Sequence, residues 1–123
     1  MHEFSMTSSI VNLVLEEAEK RGAKKVLRVN LVIGKLTFLA VEQIRFSYNL
    51  LVKNTILEGS KLRIEEREGV GECDSCGYKG PIESKEDPVY HFSFPSLLCP
   101  RCGSTVRIVD GRECLVKSVR VVV

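Results

Sequence analysis

The sequence predicts an α+β fold: a small three-stranded sheet with two helices plus an inserted zinc-ribbon module. Three observations lead there. Two segments repeat apolar residues at helical spacing, two alternate them at strand spacing, and the tail is strand-like in its valine-rich composition. A stretch punctuated by glycine, proline and cysteine then separates the second strand from the third.

From Met6 the apolar residues Met6, Ile10, Val14 and Ala18 recur every four, with Val11 and Leu13 widening the stripe. That period places them on one face of an amphipathic helix. Ser5 or Thr7 is positioned to cap its start, and Lys20, Arg21 and Gly22 supply a basic last turn and a glycine stop. Between Lys25 and Ile33, Leu27, Val29, Leu31 and Ile33 alternate with Arg28, Asn30 and Val32, a strand with one buried face. Val41, Ile44, Tyr48 and Leu51 then mark a second helix. Glu58-Gly59-Ser60 turns the chain into a second strand through Glu68, where Leu62 and Ile64 alternate with Arg63, Glu65 and Arg67.

The valine-rich tail from Glu113 to Val123 reads as a third strand, and it needs a sheet to join. Residues 1–68 and 112–123 are therefore expected to form an α/β domain, with 69–111 inserted between strands two and three. Within that insert, Ser104 to Val109 has the character of a short strand and Asp110-Gly111 that of a turn. Gly69, Gly71 and Gly111 are hinge candidates at its connections, against the plainer reading as turn residues.

Four of the five cysteines stand in matched pairs, Cys73-Asp74-Ser75-Cys76-Gly77 and Cys99-Pro100-Arg101-Cys102-Gly103. Two residues between thiols let both sulfurs of a tight turn face one ion, and the glycine lets the turn close. Four thiolates in a tetrahedron suit zinc. The 22 residues between Cys76 and Cys99 require a bulging loop. The chain starts Met-His-Glu without a basic or apolar signal stretch, and Cys114 makes the cysteine count odd. Both features favour a reducing cytoplasm over disulfides.

At 123 residues the chain accommodates one small core plus a metal-stapled module, too small to fold without the ion. A net charge of +2 neither demands nor excludes a nucleic acid. No apolar run reaches the ~20 residues that span a bilayer, so a membrane location is not expected. Enzymatic activity is not expected either: Gly34-Lys35 lacks the rest of a phosphate-binding loop, and His2 and His91 have no catalytic spacing.

The N-terminus offers a second kind of metal site. The Met1 amine and a deprotonated His2 amide close a five-membered ring on an ion, and that amide with the His2 Nδ1 closes a six-membered one. Three coplanar nitrogens suit nickel(II) or copper(II) better than zinc. Glu3, by backbone or carboxylate, a water, or His91 can fill the fourth corner. His91 equally reads as a structural histidine within Tyr90-His91-Phe92. Because protons compete for such nitrogens, affinity is expected to fall with pH.

Met1-His2-Glu3, Ser5-Met6, Ser9-Ile10-Val11, Gly34-Lys35-Leu36, the helix around Ile44 to Leu51, Thr55-Ile56-Leu57-Glu58-Gly59 and both cysteine knuckles together resemble the hydrogenase nickel-incorporation family HypA, over essentially the whole chain. The resemblance implies a nickel metallochaperone, with nickel(II) as transient cargo and zinc(II) as a structural ion. It implies nickel delivery to the large subunit of nickel-iron hydrogenase, aided by a HypB-type GTPase, with urease a further client of some members. Carried over by residue, it implies His2 as nickel ligand, Glu3 as a supporting position, and Cys73, Cys76, Cys99 and Cys102 as zinc ligands.

Two other functions compete. The paired knuckles also look like rubredoxin, an electron carrier, although the absence of tryptophan and the extra α/β domain argue against it. A nucleic-acid-binding zinc ribbon would use Lys24, Lys25, Arg28, Lys35, Lys61 and Arg63, but acids are interspersed and no aromatic platform accompanies them.

Overall fold

The computed structural model describes residues 2–82, 84–87, 92–95 and 97–123. They form two compact units: Met1–Val32, Leu39–Glu65 and Leu115–Val123 in the first, Ile33–Phe38 and Glu66–Cys114 in the second. The short stretch Ile33–Phe38 thus groups with the cysteine-bearing segment.

In the first unit, helix α1 (His2–Lys20) packs on helix α2 (Val41–Leu51). α1 starts at His2, ahead of the Ser5 or Thr7 cap expected from sequence. Instead Thr7 Oγ1 donates back to the Glu3 carbonyl at 2.5 Å and Ser9 Oγ to that of Ser5 at 3.2 Å. A hydroxyl one turn inside a helix finds such an acceptor without leaving helical geometry. The buried stripe is Thr7, Ile10, Val11, Val14 and Ala18, while Met6 and Leu13 are exposed. Shifting the start to His2 rotates nothing; it is Thr7, its hydroxyl satisfied locally, that takes the buried place expected for Met6. The helix stops at Gly22, whose φ of 65° lets Ala23 N–H reach the Ala18 carbonyl at 2.9 Å.

Strand β1 (Lys25–Gly34) lies between β2 (Lys61–Arg67) and β8 (Cys114–Val122) in a three-stranded sheet ordered β2-β1-β8. The tail strand therefore does join the sheet of the first two. Burial along β1 departs from simple alternation: Val26 is buried and Leu27 is 40% exposed, while Val29 and Leu31–Ile33 are all buried. At the start of the strand, Val26 N–H donates to the Ile56 carbonyl at 3.0 Å, which ties the segment after α2 to this end of the strand. Tyr48 of α2 is fully buried and its hydroxyl shares a hydrogen bond with Ser60 Oγ at 2.5 Å. Each large apolar side chain so buried contributes about 1.5–3 kcal/mol.

The second unit is built from short strands. β3 (Val70–Glu72) pairs antiparallel with β4 (Lys79–Pro81) on one side and β7 (Arg107–Asp110) on the other. β5 (Ser84–Asp87) and β6 (Phe92–Pro95) form a separate antiparallel hairpin, which accommodates the long spacing between the cysteine pairs. A 3-10 turn, Lys35–Thr37, follows β1.

Gly34, Gly69 and Gly111 meet where three backbone segments cross within this unit. Gly34 N–H donates to the Glu113 carbonyl at 2.7 Å and Leu36 N–H to that of Gly111 at 2.8 Å. A Cβ on Gly34 would strike the Gly111 carbonyl, and one on Gly111 would lie 2.6 Å from Gly69 Cα. Gly69 and Gly111 are therefore pinned by packing, which is not how a free hinge is built. Gly34→Ala is expected to lower stability by about 1–3 kcal/mol through overpacking. Thermal unfolding unchanged from the parent would show that the crossing yields without cost.

Candidate metal centre

The two cysteine pairs fold into matching knuckles. In the first, Gly77 N–H donates to the Cys73 carbonyl at 2.9 Å and Cys73 N–H to the Tyr78 carbonyl at 2.7 Å. In the second, Gly103 N–H donates to the Cys99 carbonyl at 2.9 Å and Cys99 N–H to the Ser104 carbonyl at 2.6 Å. Gly77 and Gly103 share a φ of 78°, a left-handed turn that a side chain would strain. This is why glycine follows each Cys-x-x-Cys.

The knuckles bring four thiols to one point. All four Sγ atoms lie within 4.8 Å of one another, with Cys73–Cys102 and Cys76–Cys99 each at 3.6 Å. Those separations exclude disulfides, which need S–S contacts of about 2.0 Å. They do match a tetrahedron around one ion: metal–sulfur bonds of about 2.3 Å give edges of about 3.8 Å. The donor set, four soft sulfurs on rigid turns with Cys73 and Cys99 buried, fits a closed structural site.

Electrostatics divide the thiols. Hydrogen bonds from the Ser104 side chain and backbone draw Cys102 down to about 6. At Cys76 the Tyr78 backbone hydrogen bond lowers the value, but burial and the other three cysteines more than offset it and push it up to about 11. Four neighbouring sulfurs cannot all be anionic without a cation among them, so an entering ion must displace protons.

Two residues around this centre were not singled out by sequence reasoning. Arg107, on β7, grips Asp74 inside the first knuckle with a two-pronged contact, Nε to Oδ2 at 3.2 Å and Nη2 to Oδ1 at 3.1 Å. Its guanidinium holds the Asp74 carboxyl below its ordinary value. The strand that follows the second knuckle thereby ties down the first. The available signal was an acid inside one Cys-x-x-Cys and an arginine shortly after the other. Arg107→Ala is expected to speed metal loss to a competing chelator by about tenfold, the low end for residues that orient ligands. An unchanged loss rate would reduce the pair to a surface contact.

At the other end of the chain, His2 is exposed at the start of α1. Glu3 Oε1 accepts the Ala40 N–H at 3.2 Å. Ala40 is the cap residue of α2 and has no capping side chain of its own, so Glu3 supplies the missing acceptor from α1. Hydrogen bonds from its own backbone and from Ala40 hold the Glu3 carboxyl below its ordinary value. Met1 and His91 lie outside the described residues. Cys114, first residue of β8, is half-buried, and burial raises its thiol.

Comparison with known proteins agrees with this architecture. Residues 1–121 match the family model described as "Hydrogenase/urease nickel incorporation, metallochaperone, hypA". The hydrogenase maturation factor HypA of Methanothermobacter thermautotrophicus is 43% identical over 122 residues, covering 98% of this chain and 97% of that protein. That of Methanopyrus kandleri is 40% identical over 131 residues, covering 98% and 92%. The solution structure of the nickel metallochaperone HypA from Helicobacter pylori shares the fold, with a TM-score of 0.63 at 23% identity, covering 98% of this chain and 97% of that one. A family match along nearly the full length, with the knuckles and their sulfur tetrahedron intact, leaves one conclusion: the chain belongs to the HypA family of nickel-incorporation metallochaperones, which act in hydrogenase maturation and are not enzymes.

Proposed function

We propose that this protein binds nickel(II) at its N-terminus and hands it on for nickel-iron hydrogenase maturation, while zinc(II) on Cys73, Cys76, Cys99 and Cys102 shapes the second unit. Family membership carries this reading, since the matched segment includes the first residues of the chain. The chelate consists of the Met1 amine and the His2 amide and imidazole. Glu3 supports it, and the fourth corner falls to Glu3, water or His91.

The local structure favours such a site. The first backbone N–H groups of a helix have no intrahelical acceptor, so the His2 amide is not committed to α1. An amide that has given up its proton is anionic and sits at the positive end of the helix dipole. The Glu3–Ala40 bond holds the first turn of α1 beside the start of α2. The terminal chelate thus has a fixed base and an exposed imidazole.

A chaperone must release its cargo, and an exposed site with an open corner gives an acceptor's ligands a way in. Copper(II) would outcompete nickel(II) on these donors, so selectivity falls to metal availability and to docking with partners. In the proposed route these partners are a HypB-type GTPase and the hydrogenase large subunit, in the cytoplasm. Titrating nickel(II) into untagged, zinc-loaded protein should give one saturable equivalent with the absorption of planar nickel(II). An octahedral spectrum, or no saturable binding, would overturn the chelate.

A further inference from the structure

The sheet of the first unit carries a group of cations that neither metal site accounts for. On β1, Arg28 and Asn30 alternate with the buried Val29 and Leu31, so they stand on the face away from that core. Arg63 and Glu65 from β2, and Lys117 and Ser118 from β8, join them around one cleft of about 420 Å³. Among the described residues three cations face a single carboxylate there, although the whole chain has a net charge of only +2.

The side chains converge rather than fan out. Lys117 Nζ approaches Glu65 Oε1 at 3.4 Å, so the two outer strands reach towards each other across β1. Asn30 Nδ2 donates to Ser118 Oγ at 2.8 Å, which leaves the Ser118 hydroxyl proton free to donate elsewhere. Arg28 buries its Nε–H without an acceptor, and Arg63 has no partner among the described residues. A buried donor without an acceptor is a standing cost that an incoming oxygen would relieve.

We propose that this cleft binds a small oxyanion, a phosphate or carboxylate group, between the guanidinium groups of Arg28 and Arg63. Planar guanidinium forks match the paired oxygens of both groups. Lys117 and the Ser118 hydroxyl supply further donors, and Glu65 sets the orientation of Lys117. The cleft is of a size that holds small ligands. Its donors meet in one concavity instead of forming a stripe along the surface, and among the described residues its lining has no aromatic ring on which a base would stack.

The test uses zinc-loaded, untagged, nitrogen-15-labelled protein titrated at physiological ionic strength with inorganic pyrophosphate and, separately, with citrate. Saturable resonance shifts are expected at Arg28, Asn30, Arg63 and Ser118. Arg28→Gln and Arg63→Gln should each weaken binding by about tenfold or more, one charge-assisted contact apiece. Arg120→Gln, on β8 but outside the cleft, should leave affinity unchanged, with thermal unfolding confirming that every variant is folded. Binding of pyrophosphate alone assigns a phosphate ligand, of citrate alone a carboxylate, and of both a general oxyanion site. The proposal is overturned if neither anion saturates, or if Arg120→Gln weakens binding as much as Arg28→Gln. Binding of a short polyglutamate peptide where neither small anion binds would make the face a protein-docking surface and equally overturn it.

Discussion

His2→Ala is expected to lower nickel(II) affinity by about a hundredfold or more while leaving the fold and the zinc content intact. Removing the imidazole opens the six-membered ring and leaves a two-nitrogen chelate, a loss that costs at least two decades of affinity. The fold should not notice. His2 is exposed, and the stripe that anchors α1 begins at Thr7. A short N-terminal extension is an independent check, because it keeps the imidazole and removes the free amine of Met1. It should be as damaging as His2→Ala. Calorimetric titration of the two forms and the parent decides the matter, and parental affinity in either form would place nickel elsewhere. Affinity should also fall as the buffer is made more acidic, since protons compete for both nitrogens.

Removing the ion from the four cysteines, or replacing Cys99 with serine, is expected to unfold the second unit and spare the first. Among the described residues, the buried cluster around the knuckles consists of Cys73, Cys99 and Val106, with Cys76, Tyr78 and Ile82 packed against it. Strands β3 and β4 have three residues each. Strands this short do little to offset the entropy of ordering the segment, whereas a structural zinc ion contributes about 10–16 kcal/mol of apparent binding free energy. Amide resonances of Val70–Val106 should collapse towards random-coil positions, and those of α1, α2 and β1 should stay dispersed. Retained dispersion in both units without metal would show that the knuckles hold themselves.

The pH dependence of that site has a definite sign. Without the ion, the Cys76 thiol is pushed up to about 11 and is protonated at neutral pH, whereas Cys102, drawn down to about 6, is already a thiolate. Binding must therefore expel the Cys76 proton, and acidification restores it first. Metal affinity, and the stability linked to it, should weaken as pH falls and strengthen as it rises.

Much of this architecture was legible in the chain, for reasons that differ by element. Helix α2 ran from Val41 to Leu51 as its spacing required, because Ile44 and Tyr48 have no other way to be buried together. The knuckles were legible because a four-thiolate site needs fixed spacing and a glycine in each turn. The start of α1 was not, since a cap is a local preference that tertiary contacts override. Here Glu3 spends its carboxylate on Ala40, and the helix runs on to His2. Nor was Val26 legible as a core residue in place of Leu27, because the strand's backbone there is tied to Ile56, thirty residues away.

The amino-acid pattern alone determined the order of the main helices and sheet strands, the return of the valine-rich tail to the first sheet and the gathering of four cysteines at one point. Each follows from spacing along the chain, which any folded form must respect. Only the tertiary structure decided that Gly34 and Gly111 interlock, that Arg107 reaches back to Asp74, and that Arg28, Arg63 and Lys117 share one cleft. Those pairings depend on which strands lie side by side, and nothing local in the sequence encodes the distance between residues so far apart in it.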